Sequence, residues 1–67
     1  MDASRYIGKG LVSEGCQFTI TKATRENNHR FTWVNVVARW AGYGPRPVFA
    51  DEDKRFLLDR QRRDLLP

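Results

Sequence analysis

Arg30-Phe31-Thr32-Trp33-Val34-Asn35-Val36-Val37-Ala38-Arg39-Trp40-Ala41-Gly42-Tyr43 is the stretch whose reading decides the fold. It holds both tryptophans, one of the two tyrosines and the densest run of β-branched residues. Read with a period of two, Val34, Val36, Ala38 and Trp40 share one face, and Phe31, Trp33, Asn35, Val37 and Arg39 share the other. Both faces are partly apolar. That pattern predicts a central strand with one side only partly covered. A helix is the competing reading, because Trp33, Val36 or Val37, and Trp40 also recur at spacings of three and four, with Gly42 as a C-terminal cap. β-branched residues at 34, 36 and 37 weigh against it, and the strand is adopted.

Working outward, Cys16, Phe18 and Ile20 alternate with Gln17, Thr19 and Thr21, which argues for a half-buried strand. The segment from Ala23 to His29 is polar, and Asn27-Asn28 suits a hairpin tip. Upstream, Leu11-Val12 can form a short strand ended by Ser13-Glu14-Gly15. Residues 1–10 read as a loose polar arm, with Tyr6 and Ile7 as anchors. Downstream, Gly42-Tyr43-Gly44-Pro45-Arg46-Pro47 reads as a turn and Val48-Phe49-Ala50 as a brief third strand. Asp51 then resembles a helix N-cap, with acids Glu52 and Asp53 first and bases Arg60, Arg62 and Arg63 last. These signals predict a helix from about 52 to 64. Its apolar stripe of Phe56, Leu57, Leu58, Leu65 and Leu66 is interrupted by Gln61 and Arg62.

The expected fold is therefore a single α+β domain: an arm over 1–10, a β-rich part over 11–50 and a C-terminal helix over 51–66. A two- to three-stranded antiparallel sheet (16–24, 30–41, 47–50) packs one face on the helix. The expected core is Phe18, Ile20, Val34, Val36, Trp40, Phe49, Phe56, Leu57 and Leu58.

With 67 residues, the chain is expected to bury only roughly 60% of its unfolded surface. Cys16 is the single cysteine and His29 the single histidine, so neither a disulfide nor a zinc set can help. No cofactor or metal is expected. No apolar run follows Met1-Asp2-Ala3-Ser4-Arg5, and no stretch approaches the roughly 20 apolar residues of a membrane span. A soluble, intracellular, reducing setting is the expectation. Catalysis is not expected either. His29 has no serine or cysteine near it in sequence, Cys16 falls on the apolar side of its strand, and Gly8-Lys9-Gly10 lacks the frame of a phosphate loop.

Charge is more informative. Twelve basic residues face eight acidic ones, for a net +4. Residues 1–50 carry seven bases and three acids, and residues 51–67 carry five of each. Most of the bases are arginines, which hold phosphate or carboxylate through paired N–H groups and stack on rings. On a small sheet Phe31, Trp33 and Arg39 would be co-facial, with Arg25 or Lys22 reaching in from the partner strand. Rings that stack on unpaired bases contribute about 1–3 kcal/mol each. The expectation is a small regulatory binding module for nucleic acid, with Arg25, Arg30, Arg39 and Arg46 on phosphates and Phe31 and Trp33 stacking. The close alternative is an inhibitor or adaptor of the size class of phage- and plasmid-encoded proteins, with Trp33, Tyr43 and the arginines of the expected C-terminal helix filling pockets or meeting acids on the acidic surface of a protein partner. Pairing of Phe31, Trp33 and Val37 across a homodimer is a third option.

Two families share local patterns with this chain. Val37 to Tyr43 with Val48 resembles the first helix and turn of a helix-turn-helix, through Ala38 and Gly42. Pro45 and Pro47 fall where the recognition helix would run, at a cost of about 3 kcal/mol for a mid-helix proline. Trp40-Ala41-Gly42-Tyr43, with Phe18 upstream, resembles the aromatic set of a chromodomain. That resemblance implies a cage for methylated lysine, in which ring faces attract a desolvated cation. The tryptophan-glutamate-proline run usual in that family is replaced here by Val48-Phe49-Ala50.

Overall fold

A computed structural model describes residues 3–27 and 32–58. Four antiparallel strands follow one another in chain order: β1 (Gly10–Ser13), β2 (Cys16–Asn27), β3 (Thr32–Trp40) and β4 (Lys54–Leu58). The sheet curls into a half-barrel. Among the described residues one 3-10 turn, Ser4–Tyr6, packs on β2.

β3 is central, as its pattern predicts. Val34, Val36 and Ala38 are buried, while Asn35 and Arg39 are exposed and Trp33 and Val37 half-buried. β2 pairs with it from Phe18↔Trp40 to Asn27↔Thr32. Of the predicted tip Asn27-Asn28, Asn27 is still paired as the last residue of β2, and Asn28 lies outside the described residues. β1 turns into β2 through Glu14 and Gly15, both with positive φ, the geometry of a two-residue primed hairpin turn.

The α+β expectation is overturned. Among the described residues there is no α-helix, and the segment expected to open one is strand β4, paired from Val34↔Leu58 to Ala38↔Lys54. The part of the expected helix beyond residue 58 lies outside the described residues. The physical reason lies in β3. A central strand presents backbone N–H and C=O groups on two edges, and a helix packed on its face would satisfy neither. Lys54-Arg55-Phe56-Leu57-Leu58 alternates well enough to supply the second ladder. It puts Phe56 beside Val36 and Leu58 beside Val34, both fully buried. Asp51 and Asp53 are not capping residues; each holds an arginine instead. The expected strand over 47–50 is also corrected. Ala50 donates its N–H to Pro47 O and Glu52 to Phe49 O, so these residues make turns that bring the chain back to β4.

The core lies on the concave face. Phe18 is its centre, stacked on Phe49 at 6.2 Å and tilted against Phe56 at 5.2 Å. Ile20, Leu11, Val34, Val36, Ala38 and Leu58 surround it, and Ala3 and Tyr6 pack against it from the N-terminal turn. The Lys54 ammonium lies 4.4 Å from the Phe49 ring centre and 5.2 Å from that of Phe56. The charge closes one rim of the core while staying near water. Trp40 and Phe49, expected in the core, are half-buried at its edge, and Leu57 falls on the opposite face.

Candidate nucleic-acid interface

Directly paired residues of an antiparallel ladder project to the same side, so the register lists the outer face rung by rung. Thr19 pairs with Arg39; Lys22 with Val37, and Val37 with Arg55; Thr24 with Asn35, and Asn35 with Leu57; Glu26 with Trp33. Val37, Leu57 and Trp33 supply half-buried apolar area, and Lys22, Thr24, Asn35, Arg39 and Arg55 are exposed.

One local feature sets this arrangement. The register of β2 against β3 slips between Ile20 and Lys22, leaving Thr21 as an extra residue. A bulge of one residue exchanges the two faces of the strand beyond it. Past the bulge Ala23 and Arg25 project with Val36 and Val34 toward the core side, and Lys22, Thr24 and Glu26 project outward. The Thr21 hydroxyl donates to Val37 O at 3.1 Å and pins the irregularity.

The expected site residues are therefore divided. Trp33 and Arg39 share the outer face. Arg25 does not join them, because it pairs with buried Val34. Arg46 is on the β3–β4 loop, with its guanidinium 5.3 Å from the Trp40 ring centre and its Nη2 donating to both carboxylate oxygens of Asp51 at 3.1 Å. Tyr43 is on the same loop and exposed. Arg30 and Phe31 lie outside the described residues. Arg39 is itself paired, its Nε donating to Asp53 Oδ1 at 3.0 Å. That pair is exposed on both sides, and such a pair contributes at most about 1 kcal/mol. Arg39 can exchange Asp53 for another anion at little cost.

Sequence reading placed Asn35 on this face but missed Arg55 and Thr24. Arg55 was hidden by its assignment to a helix, although strand alternation puts it opposite Phe56. The bulge also had a signal: Cys16, Phe18 and Ile20 continue in step onto Lys22, a poor core residue, and the apolar series resumes at Ala23.

Where β2, β3 and β4 carry Lys22, Thr24, Asn35, Val37 and Arg55, the surface forms an open depression of about 280 Å3, lined also by Ala23, Val36 and Phe56. Cys16 is half-buried against the core at the start of β2. Among the described residues no three of His, Cys, Asp and Glu gather into a metal-binding group, and no helix is long and apolar enough to cross a membrane.

The aromatic cage implied by the chromodomain resemblance does not assemble from these residues. Phe18 is only 3% exposed and packed between two other rings, and the Trp40 ring already faces Arg46. The Trp40 indole N–H donates to Pro45 O at 3.1 Å, which fixes the ring against the loop.

In comparisons with protein-family models, curated proteins and solved structures, the chain matches none.

Proposed function

We propose that this protein is a non-catalytic module that binds single-stranded nucleic acid across the outer face of β2, β3 and β4. The observation that carries the reading is the cationic rung Lys22–Val37–Arg55 on the same face as the half-buried Trp33. Along β3 the two features are about 13 Å apart, four residues at strand rise. Phosphates meet Lys22, Arg55 and Arg39, Thr24 and Asn35 offer neutral donors, and a base stacks on Trp33. An open sheet suits a single strand, whose bases are free to meet a ring face-on. The net +4 charge adds a weak general attraction.

The test is fluorescence anisotropy with labelled oligo-dT and oligo-U as salt is raised. Affinity is expected to fall with a log–log slope of about −0.7 for each phosphate neutralised. Trp33→Ala is expected to weaken binding by about 1–3 kcal/mol with the fold unchanged. Binding that ignores salt, or none to any DNA or RNA tried, overturns the reading.

A protein-binding inhibitor or adaptor is a second reading, favoured by the β3–β4 loop. Tyr43 there is 61% exposed and Val48 fully exposed, and tyrosine is among the residues that dominate interface energetics. A partner recovered from nuclease-treated lysate by the parent chain, and lost with Tyr43→Ala, would select this reading over the first.

A further inference from the structure

We infer that the depression over Val37 is a seat for one phosphate group, with Lys22 and Arg55 converging on the same anion from β2 and β4. The inference rests on the nucleic-acid reading and specifies where on that face a backbone phosphate is held.

The first observation is the bulge. Unbroken alternation from Phe18 and Ile20 would send Lys22 into the core; the extra Thr21 turns it outward instead. Bulges commonly re-aim a side chain next to a functional site, and this one is held by the Thr21 hydroxyl on Val37 O. The second is the rung itself. Lys22 and Arg55 flank Val37 on the two neighbouring strands, so their Cα atoms are about 10 Å apart, two inter-strand spacings. Side chains of that length are long enough to reach one anion above the short valine between them, and both line the depression there.

The third observation is electrostatic. Arg39 and Arg46 each have an aspartate partner, whereas Lys22 and Arg55 have no ion pair with any described residue. Two like charges facing each other across one strand repel, and an anion between them removes that cost. The nearest outward acid, Asp53, two residues before Arg55, is held by Arg39, and Glu26 on β2 lies two rungs from Lys22. On the adjacent rung, Thr24 and Asn35 bring a hydroxyl and an amide to the same depression. Arginine supplies paired N–H donors and lysine a point charge, a combination suited to a phosphate. The volume, about 280 Å3, is slightly below the roughly 300–1,000 Å3 of sites that enclose a drug-sized ligand. It admits a phosphate with its sugar and leaves the base to reach Trp33.

The test has two arms. In the first, amide 1H–15N shifts are followed as inorganic phosphate is added, against sodium chloride at equal ionic strength. Saturable shifts confined to residues 21–24, 35–37 and 55 are expected. Equal shifts in chloride, or shifts scattered over the surface, overturn the seat. In the second arm, Lys22→Gln, Arg55→Gln and the double variant are titrated with oligo-dT, each first shown to keep the parent amide spectrum. Each single change is expected to weaken binding roughly tenfold, as for a lost hydrogen bond to a charged group. The double variant should be little weaker than either single one, because both side chains act on one phosphate. Simple additivity, or full affinity in both single variants, overturns the seat while leaving the nucleic-acid reading intact. Localised phosphate binding with no oligonucleotide binding does the reverse.

Discussion

At the scale of the residue, two positions carry most of the local geometry. Glu14 has a φ of 52° and precedes Gly15 at 78°. A left-handed backbone costs an ordinary L-residue about 1–2 kcal/mol; asparagine tolerates it better, and Asn-Gly is a preferred pair for this turn. Glu14→Asn is therefore expected to stabilise the protein by about 0.5–1 kcal/mol, a rise of several degrees in Tm for a domain of this size. A thermal melt followed by far-UV circular dichroism checks it, and a fall in Tm contradicts the turn assignment. Thr21 is the second position. Its one-residue insertion decides that Lys22 faces out and that Ala23 and Arg25 face the core side. The turn at Gly15 is legible in the sequence from glycine alone. The bulge is harder to read, since it shows only as a lysine arriving where a core residue is due.

Among the elements, β2 and β3 were legible and β4 was not. The reading of β3 as a strand, and its division into a Val34-Val36-Ala38 face and a Trp33-Asn35-Val37 face, agrees with the burial pattern. Residues 54–58 defeated local reasoning because Asp51-Glu52-Asp53 imitates a helix start, while five residues carry too little periodicity to outvote it. What outvoted it was the open edge of β3. Cross-linking checks the assignment directly. Asn35 and Leu57 are direct partners, which puts their Cα atoms about 4.5–5.5 Å apart, within disulfide range. In a Cys16→Ser background, Asn35→Cys with Leu57→Cys is expected to oxidise within the monomer. Asn35→Cys with Arg55→Cys, a diagonal pair about 7–8 Å apart, is expected to resist. Equal cross-linking of both pairs would argue against this register.

On the scale of the whole molecule, one small core serves all four strands and the N-terminal turn. A chain of this length has a total stability of roughly 3–10 kcal/mol. Phe56 is 2% exposed and packs against Phe18. Truncating such a ring costs about 3–5 kcal/mol, so Phe56→Ala is expected to leave a large unfolded fraction at room temperature, measured by urea titration. A mild loss would mean that the core does not run through β4. The same economy explains the outer face. A curled sheet of this size buries its concave side and has nothing left among the described residues to cover the convex one. Trp33, Val37 and Leu57 therefore stay half-exposed beside Lys22 and Arg55.

The sequence by itself determined the central strand, its two unlike faces, the hairpin with β2, the turn at Gly15 and the basic, aromatic character of the outward surface. These follow from side-chain alternation and from residues with strong local preferences, which act over a few positions. Only the tertiary structure decided that residues 54–58 pair with β3, that Arg25 and Trp33 lie on opposite sides, that Arg39 and Arg46 are each matched with an aspartate, and that Lys22 and Arg55 flank one valine. Each of these depends on which backbone edge needs a partner and where the register slips. Both are relations between segments distant in the chain, which no local periodicity encodes.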